Sequence, residues 1–161
     1  KAEAAFVQFI HLVKYMYTRA TQDKVSIAEE AQYIEQYIEL QKNRLDESRT
    51  QVDYTYENDH ACPNAQIAPM LLITFVENAL KYGTSAHEKS LIRIRLQVKD
   101  NTLCFIAENP IVNPRPADKA PGIGIANCRK RLELLYPSAH KLNIQEQDGW
   151  YKVELEIKLS V

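Results

Sequence analysis

A short polar stripe on an otherwise apolar segment carries the residues of this sequence that could do chemistry. Within residues 69–83 the polar side chains stand three or four positions apart, and they are Thr74, Glu77, Asn78 and Lys81. In a helix, this spacing stacks them on one side. A carboxylate and an amide oxygen one residue apart suit Mg²⁺, which prefers oxygen ligands completed by water and phosphate oxygens. An ammonium group one turn further on could then meet a phosphate.

The remainder of this segment is apolar, which predicts a helix that is buried on most of its circumference. Its apolar residues are Leu71, Leu72, Phe75, Val76, Ala79 and Leu80. Burial of a carboxylate or an ammonium group without a partner costs several kcal/mol. Either the polar side chains satisfy one another in the core, or the stripe faces a cavity that holds a polar ligand. The spacing alone leaves both interpretations open.

A glycine-containing segment at 121–127, with the sequence PGIGIAN, is the second candidate. Gly122 and Gly124 allow the backbone to approach a ligand, and the N-terminus of the predicted helix 123–136 offers free N–H groups to an anion. Basic residues follow at 129–131. The segment has no Lys-Ser/Thr pair and follows a proline-rich loop, so it is neither a P-loop nor a dinucleotide fingerprint. Considered alone, the segment 121–127 and the basic residues after it are explained by a flexible turn and a solvated basic helix face. Together with the polar stripe, it favours a metal ligand set facing a phosphate cradle.

Composition restricts the class of protein. The chain has 161 residues, 45% hydrophobic and 25% charged, which suffices for one core-bearing domain and a small appendage. A net charge of −1 argues against a nucleic-acid partner. Three widely spaced cysteines without a CxxC motif indicate reduced thiols rather than zinc ligands or disulfides. The sequence starts in mid-pattern without Met, so we expect a piece of a longer protein.

The first 48 residues predict two amphipathic helices, over 2–19 and 26–45. Ser26 followed by Glu29 is a capping box that marks the start of the second helix. A short polar turn joins the helices into a hairpin. Because such a hairpin cannot bury both apolar faces by itself, we expect it to pack on the rest of the chain or on a second copy.

From residue 51 onward the hydrophobic period changes to that of strands. Strands are predicted over 52–56, over 92–98 and 103–107 with a turn at Asp100-Asn101, and over 142–147 and 150–159 with a turn at Asp148-Gly149. Four prolines make 111–121 an irregular excursion. These patterns predict an α+β fold in which helices cover one face of a mostly antiparallel sheet.

The motifs together resemble a known family. Residues 75–83, FVENALKYG, look like the N box of the histidine-kinase ATP-binding domain, and residues 122–127, GIGIAN, look like its glycine-rich G box. The segments YIEQYIELQK at 33–42 and RLELLYP at 131–137 complete a combination that is similar to LytS-like sensor histidine kinases. The resemblance covers nearly the whole chain.

The resemblance implies a Bergerat ATP-binding sandwich at 49–161, preceded by a helical segment at 1–48. Its cofactors would be ATP and Mg²⁺. Asn78 would ligate Mg²⁺, Glu77 would assist as a base or in the metal shell, and Lys81 would approach the phosphates. Residues 111–121 would form a short ATP lid. The remaining nucleotide contacts would be Tyr82, Gly122, Ile123, Gly124 and Ile125.

Two segments depart from the family pattern. The family places an Asp, with a glycine two residues on, where the carboxylate receives the adenine amino group. This sequence has Glu108-Asn109-Pro110 there, so Glu108 and Asn109 are the candidate acceptors. The Asn-Pro-His-Phe segment with the family's phosphoacceptor His is absent, and His11 has the context of an ordinary helix-face histidine.

The resemblance implies the cytoplasmic catalytic part of an inner-membrane-anchored sensor histidine kinase. It would phosphorylate a His on an upstream helix that is absent from this chain, form a homodimer through the N-terminal helices, and pass the phosphoryl group to a response regulator. An alternative is a degenerate, non-catalytic module of the same fold that serves dimerisation and signalling. An ATPase or serine kinase of this fold is a third possibility, against which the leader helices argue.

Overall fold

The computed structural model describes residues 2–59, 62–113 and 122–159. It has the predicted α+β architecture. In chain order the elements are α1 (Ala2–Arg19), β1 (Val25–Ser26), α2 (Ile27–Lys42), β2 (Thr50–Asn58), β3 (Gln66–Ile67), α3 (Ile73–Gly83), β4 (Ser90–Lys99), β5 (Thr102–Pro110), α4 (Ile123–Leu135), β6 (His140–Gln147) and β7 (Trp150–Lys158).

The main sheet has five strands in the order β2-β4-β5-β7-β6. Strand β2 pairs with β4 in parallel, and the other three pairings are antiparallel, as the sequence predicted for most of the sheet. The two tight turns lie where the sequence placed them. Asp100 and Asn101 have φ of 50° and 56°, and Asp148 and Gly149 have φ of 53° and 77°, which is the left-handed pair that a two-residue hairpin requires.

One face of this sheet forms the core. Alternate residues of the central strands point to that face and are buried, among them Ile94 on β4, Phe105 on β5 and Leu155 on β7. Helix α3 packs on this face against β4 and β5. Helix α2 covers β2, where the Tyr54 hydroxyl donates to the Ala31 carbonyl at 3.0 Å. The helices therefore lie on one side of the sheet, as the sequence predicted.

The two N-terminal helices differ in how firmly they are attached. Helix α2 begins at the predicted capping box, in which Ser26 Oγ accepts from Glu29 N at 3.1 Å and Glu29 Oε2 accepts from Ser26 N at 3.1 Å. It buries Ile27, Ile34 and Ile38. Among the described residues of α1, only Leu12 is buried. Helix α1 leaves large apolar side chains exposed, namely Phe6, Val7, Phe9, Ile10, Val13, Met16 and Tyr17.

Three features differ from the sequence prediction. Helix α3 begins at Ile73 and not at residue 69, because Met70 has a φ of +60°, which a right-handed helix does not allow. Helix α2 ends at Lys42, three residues before the predicted end. A small antiparallel pair of β1 and β3 was not predicted; it ties the start of α2 to the segment before α3. No helix in the described part of the chain has the length and apolarity needed to cross a membrane.

Candidate active site

The polar stripe of α3 faces away from the core. Phe75, Val76 and Ala79 on the opposite side of the helix are buried. Glu77 and Lys81 are exposed, whereas Thr74 and Asn78 are half-buried. The side chains of the stripe therefore do not satisfy one another in the core. The stripe is instead open to solvent, from which a polar ligand could reach it, and ligand binding there stays a prediction.

Helix α2 lies close to the same stripe. Desolvation raises the pKa of Glu77. Burial raises the pKa of Tyr33 to about 12, and the negative charge of Glu77 is the next cause. The pKa of Tyr37 is raised to about 12 for the same two reasons. The Glu77 carboxylate is thus in electrostatic reach of α2, and a raised pKa makes it a better proton acceptor than a carboxylate whose pKa is unshifted.

The N-terminus of α4 meets α3 at Thr74. A Cβ atom on Gly124 would lie 3.1 Å from Thr74 Cγ2, so glycine permits this close approach. Gly122 is the N-cap, no side chain caps the helix, and the first helical bonds run from Ile125 N and Ala126 N to Gly122 O. The N–H groups before Ile125 belong to the first turn, whose donors have no partner within a helix. They lie beside the polar stripe, one helical turn from Asn78.

Gly122 and the two isoleucines of this segment differ in their surroundings. A Cβ atom on Gly122 would have no atom within 4 Å among those described. Ile123 is exposed, and Ile125 packs into the core. Ile125 therefore anchors the helix start while the segment 122–124 remains open.

Asn109 on β5 supplies a buried acceptor without a partner. Its side chain is fully buried, and Nδ2 donates to the Pro110 carbonyl at 2.9 Å. Because only the NH₂ group can donate, this bond fixes the orientation of the amide. Oδ1 is buried and has no hydrogen-bond partner among the described residues. A Cβ atom on Gly83 would lie 2.7 Å from Asn109 Cβ, so this acceptor adjoins the C-terminal end of α3.

The two candidate adenine acceptors lie on opposite faces of the sheet. Glu108 points away from α3, and its Oε1 accepts from Arg93 Nη1 at 3.1 Å. There it lines a surface cavity of about 320 Å³ together with Asp53, Arg95 and Lys152. Glu108 lies on the face away from α3, since neighbouring residues of a strand point to opposite faces, and its role as a nucleotide contact stays a prediction. Of the pair, Asn109 alone is brought to α3.

The structure also places Arg131 and His11. The guanidinium of Arg131 lies at the segment before α3, where its Nη2 and Nη1 donate to the carbonyls of Pro69 and Met70 at 2.7 and 3.3 Å. His11 is exposed and lines a cleft of about 350 Å³ between α1 and α2 together with Tyr33, and neither Asn78 nor Gly122 lines that cleft.

Comparisons with known proteins agree with this architecture. The sequence family described as histidine kinase matches residues 1–49. A sensor-like histidine kinase of Staphylococcus epidermidis is 35% identical over 97 residues, which are 59% of this chain and 18% of that protein. The sensor protein LytS of Staphylococcus haemolyticus is 24% identical over 161 residues, which are 92% of this chain and 27% of that protein. Over most of its length the chain is thus similar to a sensor protein of this kind. The predicted resemblance to LytS-like kinases is confirmed.

The fold of the histidine kinases is also confirmed by solved structures. The catalytic domain of the histidine kinase ThkA superimposes with a TM-score of 0.57 at 17% identity, over 84% of this chain and 94% of that domain. This likeness shows the Bergerat-type fold. The chain spans less than a third of the length of the two curated relatives named above.

In a histidine-kinase fold, the segment after β5 would form the ATP lid. Residues 111–113 are tied to the end of α3, because Val112 N and Asn113 N donate to the Tyr82 carbonyl at 3.2 and 3.1 Å. Lys81 precedes Tyr82, and its Nζ lies 5.4 Å from the centre of the Tyr82 ring. The remainder of the predicted lid, residues 114–121, lies outside the described residues.

The donor set at α3 suits a magnesium ion that is shared with a nucleotide. Residues 2–59, 62–113 and 122–159 contain no group of three or more His, Cys, Asp or Glu side chains arranged to hold a metal. An ion at Asn78 would therefore need phosphate and water oxygens to complete its shell, which is how Mg²⁺ is usually bound.

Sequence reasoning missed one buried carboxylate, Glu30. It is fully buried on α2, and its Oε1 accepts from Tyr15 Oη and from Met70 N, both at 3.0 Å. The signal was present, since Glu30 stands three residues after Ile27 and four before Ile34 and so falls on the apolar stripe of the helix.

Proposed function

We propose that this chain is the catalytic and ATP-binding part of a sensor histidine kinase. It binds Mg-ATP between α3 and α4 through residues 49–161, and it phosphorylates a His on an upstream helix that is absent from this chain. The observation that carries the proposal is the buried Oδ1 of Asn109, which has no partner among the described residues and lies beside the C-terminal end of α3. An unsatisfied buried acceptor costs about 1–3 kcal/mol, and a ligand that donates a hydrogen bond there removes that cost.

The base of the nucleotide is assigned to Asn109. The exocyclic amino group of adenine donates to Oδ1, because Nδ2 is already occupied by the Pro110 carbonyl. A purine with a carbonyl at the same position would instead place two acceptors against each other. The site therefore selects adenine over a 6-oxopurine, in spite of the proline that replaces the family's glycine.

The triphosphate is assigned to the open N-terminus of α4 and the polar stripe of α3. The N–H groups of Ile123 and Gly124 donate to phosphate oxygens, favoured by the positive end of the helix dipole. Lys81 adds a positive charge, and the Asn78 amide oxygen ligates Mg²⁺. Mg²⁺ held there would neutralise the charge that develops on transfer.

Glu77 is assigned as the proton acceptor of the transfer. The imidazole nitrogen of the acceptor His attacks the γ-phosphorus, the bond to the β–γ bridging oxygen breaks, and ADP leaves. Glu77, whose pKa is raised by desolvation, accepts the proton that the attacking imidazole loses. Positioning of the two reactants supplies much of the rate in such reactions.

A structural neighbour supports the ligand class. Full-length histidine kinase ShkA was solved in complex with AMPPNP, and it superimposes with a TM-score of 0.60 at 12% identity over 98% of this chain and 36% of that one. ThkA was solved in complex with the response regulator protein TrrA. We assign a response regulator to this chain as the final phosphoryl acceptor.

A second copy of the chain is the proposed occupant of the exposed face of α1. Phe6, Ile10 and Val13 repeat at helical spacing on that face and are 63%, 46% and 46% exposed. Such a contiguous apolar face marks an interface. Residues 1–48 would thus form the dimerisation segment, and membrane attachment would reside in segments outside this chain.

Isothermal titration with AMPPNP, with Mg²⁺ and with EDTA, tests the proposal. Wild type should bind in a Mg²⁺-dependent manner, and Asn78→Ala should lose the Mg²⁺-dependent part while its far-UV circular dichroism stays unchanged. Asn143→Ala, on the edge strand β6, is the matched control and should bind like wild type. Absence of binding by wild type would favour the non-catalytic module, and wild-type binding by Asn78→Ala would remove Asn78 from the metal site.

A further inference from the structure

Glu30 joins three separate parts of the chain in one buried contact. It lies on α2, accepts from the Tyr15 hydroxyl of α1, and accepts from the backbone N–H of Met70 in the segment before α3, at 3.0 Å each. Its second oxygen, Oε2, is buried without a partner among the described residues.

The segment that Glu30 holds determines where α3 starts. Met70 has a φ of +60°, and its carbonyl and that of Pro69 accept from Arg131 of α4. Ala68 N donates to the Tyr136 hydroxyl at 2.8 Å. This segment is therefore clamped with its Met70 N–H toward the helical hairpin and its carbonyls toward α4. No side-chain cap supports the start of α3, so the clamp sets its position.

A ring contact joins the same tyrosine to α2 on the side that faces Glu77 electrostatically. The Tyr15 ring stacks on the Tyr33 ring of α2, with centroids 4.6 Å apart and planes at 20°. Tyr33 in turn lies in electrostatic reach of Glu77, which precedes Asn78. Tyr15 therefore takes part in both links from α1 toward α3, the hydrogen bond to Glu30 and the ring contact with Tyr33.

Helix α1 is otherwise held loosely. Within the described part of the chain Leu12 is its buried residue, and the ion pair from Arg19 Nη2 to Glu29 Oε1, at 2.6 Å, is half-exposed. Helix α2 is fixed by the core, so α1 can change its angle on α2 while α2 and α3 remain packed. Such a change would be felt at α3 mainly through Tyr15.

We propose that Tyr15 and Glu30 couple the orientation of α1 to the position of α3, with Glu30 acting as a positioning residue for the nucleotide site. This inference rests on the proposed function for its consequence, because it names how that site is regulated. Displacement of Tyr15 releases Oε1 from one of its two donors, loosens the hold on Met70 N, and shifts the first turn of α3 on which Thr74 meets α4.

Amide hydrogen exchange of the nucleotide-free chain tests the coupling. Tyr15→Phe removes the hydroxyl on α1, and we expect exchange at Met70 and in residues 73–76 to become about three- to tenfold faster, as the loss of one hydrogen bond implies. Tyr17→Phe removes the same group from a ring that is 85% exposed on the same helix. This control should leave those amides unchanged. Equal exchange in the two variants would overturn the inference.

Nucleotide affinity gives the second measurement. Tyr15→Phe should lower the affinity for Mg-AMPPNP by about threefold or more relative to Tyr17→Phe. The same affinity in both variants would overturn the link to the nucleotide site. Glu30→Gln retains an oxygen that accepts from Met70 N, so its affinity for Mg-AMPPNP should be close to that of wild type. Glu30→Leu lacks this oxygen, so its affinity should be lower. Absence of nucleotide binding by wild type would refute the proposed function, and the exchange comparison would still decide the coupling.

Discussion

Replacement of Asn109 separates an adenine-binding role from a structural one. Asn109→Ala removes an acceptor that has no partner in the described structure and retains the Cβ that packs against Gly83. Relief of the unsatisfied oxygen is worth about 1–3 kcal/mol, and the lost Nδ2 bond and packing cost a similar amount. The free energy of unfolding should therefore change by less than about 1 kcal/mol.

The effect on nucleotide binding should be larger and specific to the base. The adenine amino group loses its acceptor, which costs about 1–3 kcal/mol, or a factor of about 5 to 150 in Kd. ITP carries a carbonyl where adenine has the amino group, so wild type should prefer ATP to ITP by at least about tenfold. Asn109→Ala should bring the two within about threefold.

Urea denaturation and competition titrations with ATP and ITP measure the two quantities. Asn58→Ala is the matched control, because Asn58 Oδ1 is also buried without a partner in the described structure but lies at the end of β2. Its ATP-to-ITP ratio should equal that of wild type. If Asn109→Ala keeps the wild-type ratio, or if Asn58→Ala loses it too, the assignment of the base to Asn109 is refuted.

Three further predictions test other parts of the site. Gly122→Ala should leave the melting temperature unchanged, because a Cβ there meets no described atom within 4 Å, whereas Gly124→Ala should lower it by contact with Thr74. Both variants should lose more affinity for ATP than for adenosine in titrations, and an equal loss for the two ligands would point to misfolding. Burial raises the pKa of Glu30, so from about pH 4.3, where the unfolded chain releases its proton, up to the raised folded pKa, the folded chain keeps its proton. Wild-type stability should therefore fall relative to Glu30→Gln as the pH rises from there, and parallel urea-denaturation curves across this range would contradict it. The chain should bind γ-labelled ATP without labelling itself, and acid-labile phosphate that disappears in His11→Gln would place the acceptor on α1.

Local patterns in the sequence were sufficient for most of the fold. The capping box at Ser26, the left-handed turn pairs at 100–101 and 148–149, and the strict alternation over 92–98 each act within a few residues, so the sequence predicted them correctly. The start of α3 was predicted wrongly because it depends on distant residues. Arg131 and Glu30 hold the segment before it, and neither contact has a local signature.

The candidate site divides in the same way. The polar stripe of α3 was predicted from residue spacing, and the open start of α4 was predicted from its glycines. The ligands assigned to these two features are a proposal. The sequence could not predict whether Glu108 or Asn109 faces α3, because this depends on which face of β5 packs against that helix. The parallel pairing of β2 with β4 was likewise missed, since periodicity reveals a strand and not its neighbour.

The side-chain amide signals of Asn78 and Asn109, followed by NMR during titration, test the central claim most directly. We predict that the Asn109 signal shifts saturably with adenosine and with Mg-AMPPNP, because both contain adenine. The Asn78 signal should shift with Mg-AMPPNP and not with adenosine, because it senses the metal and the phosphates. If neither signal moves at saturating Mg-AMPPNP, the nucleotide does not bind between α3 and α4.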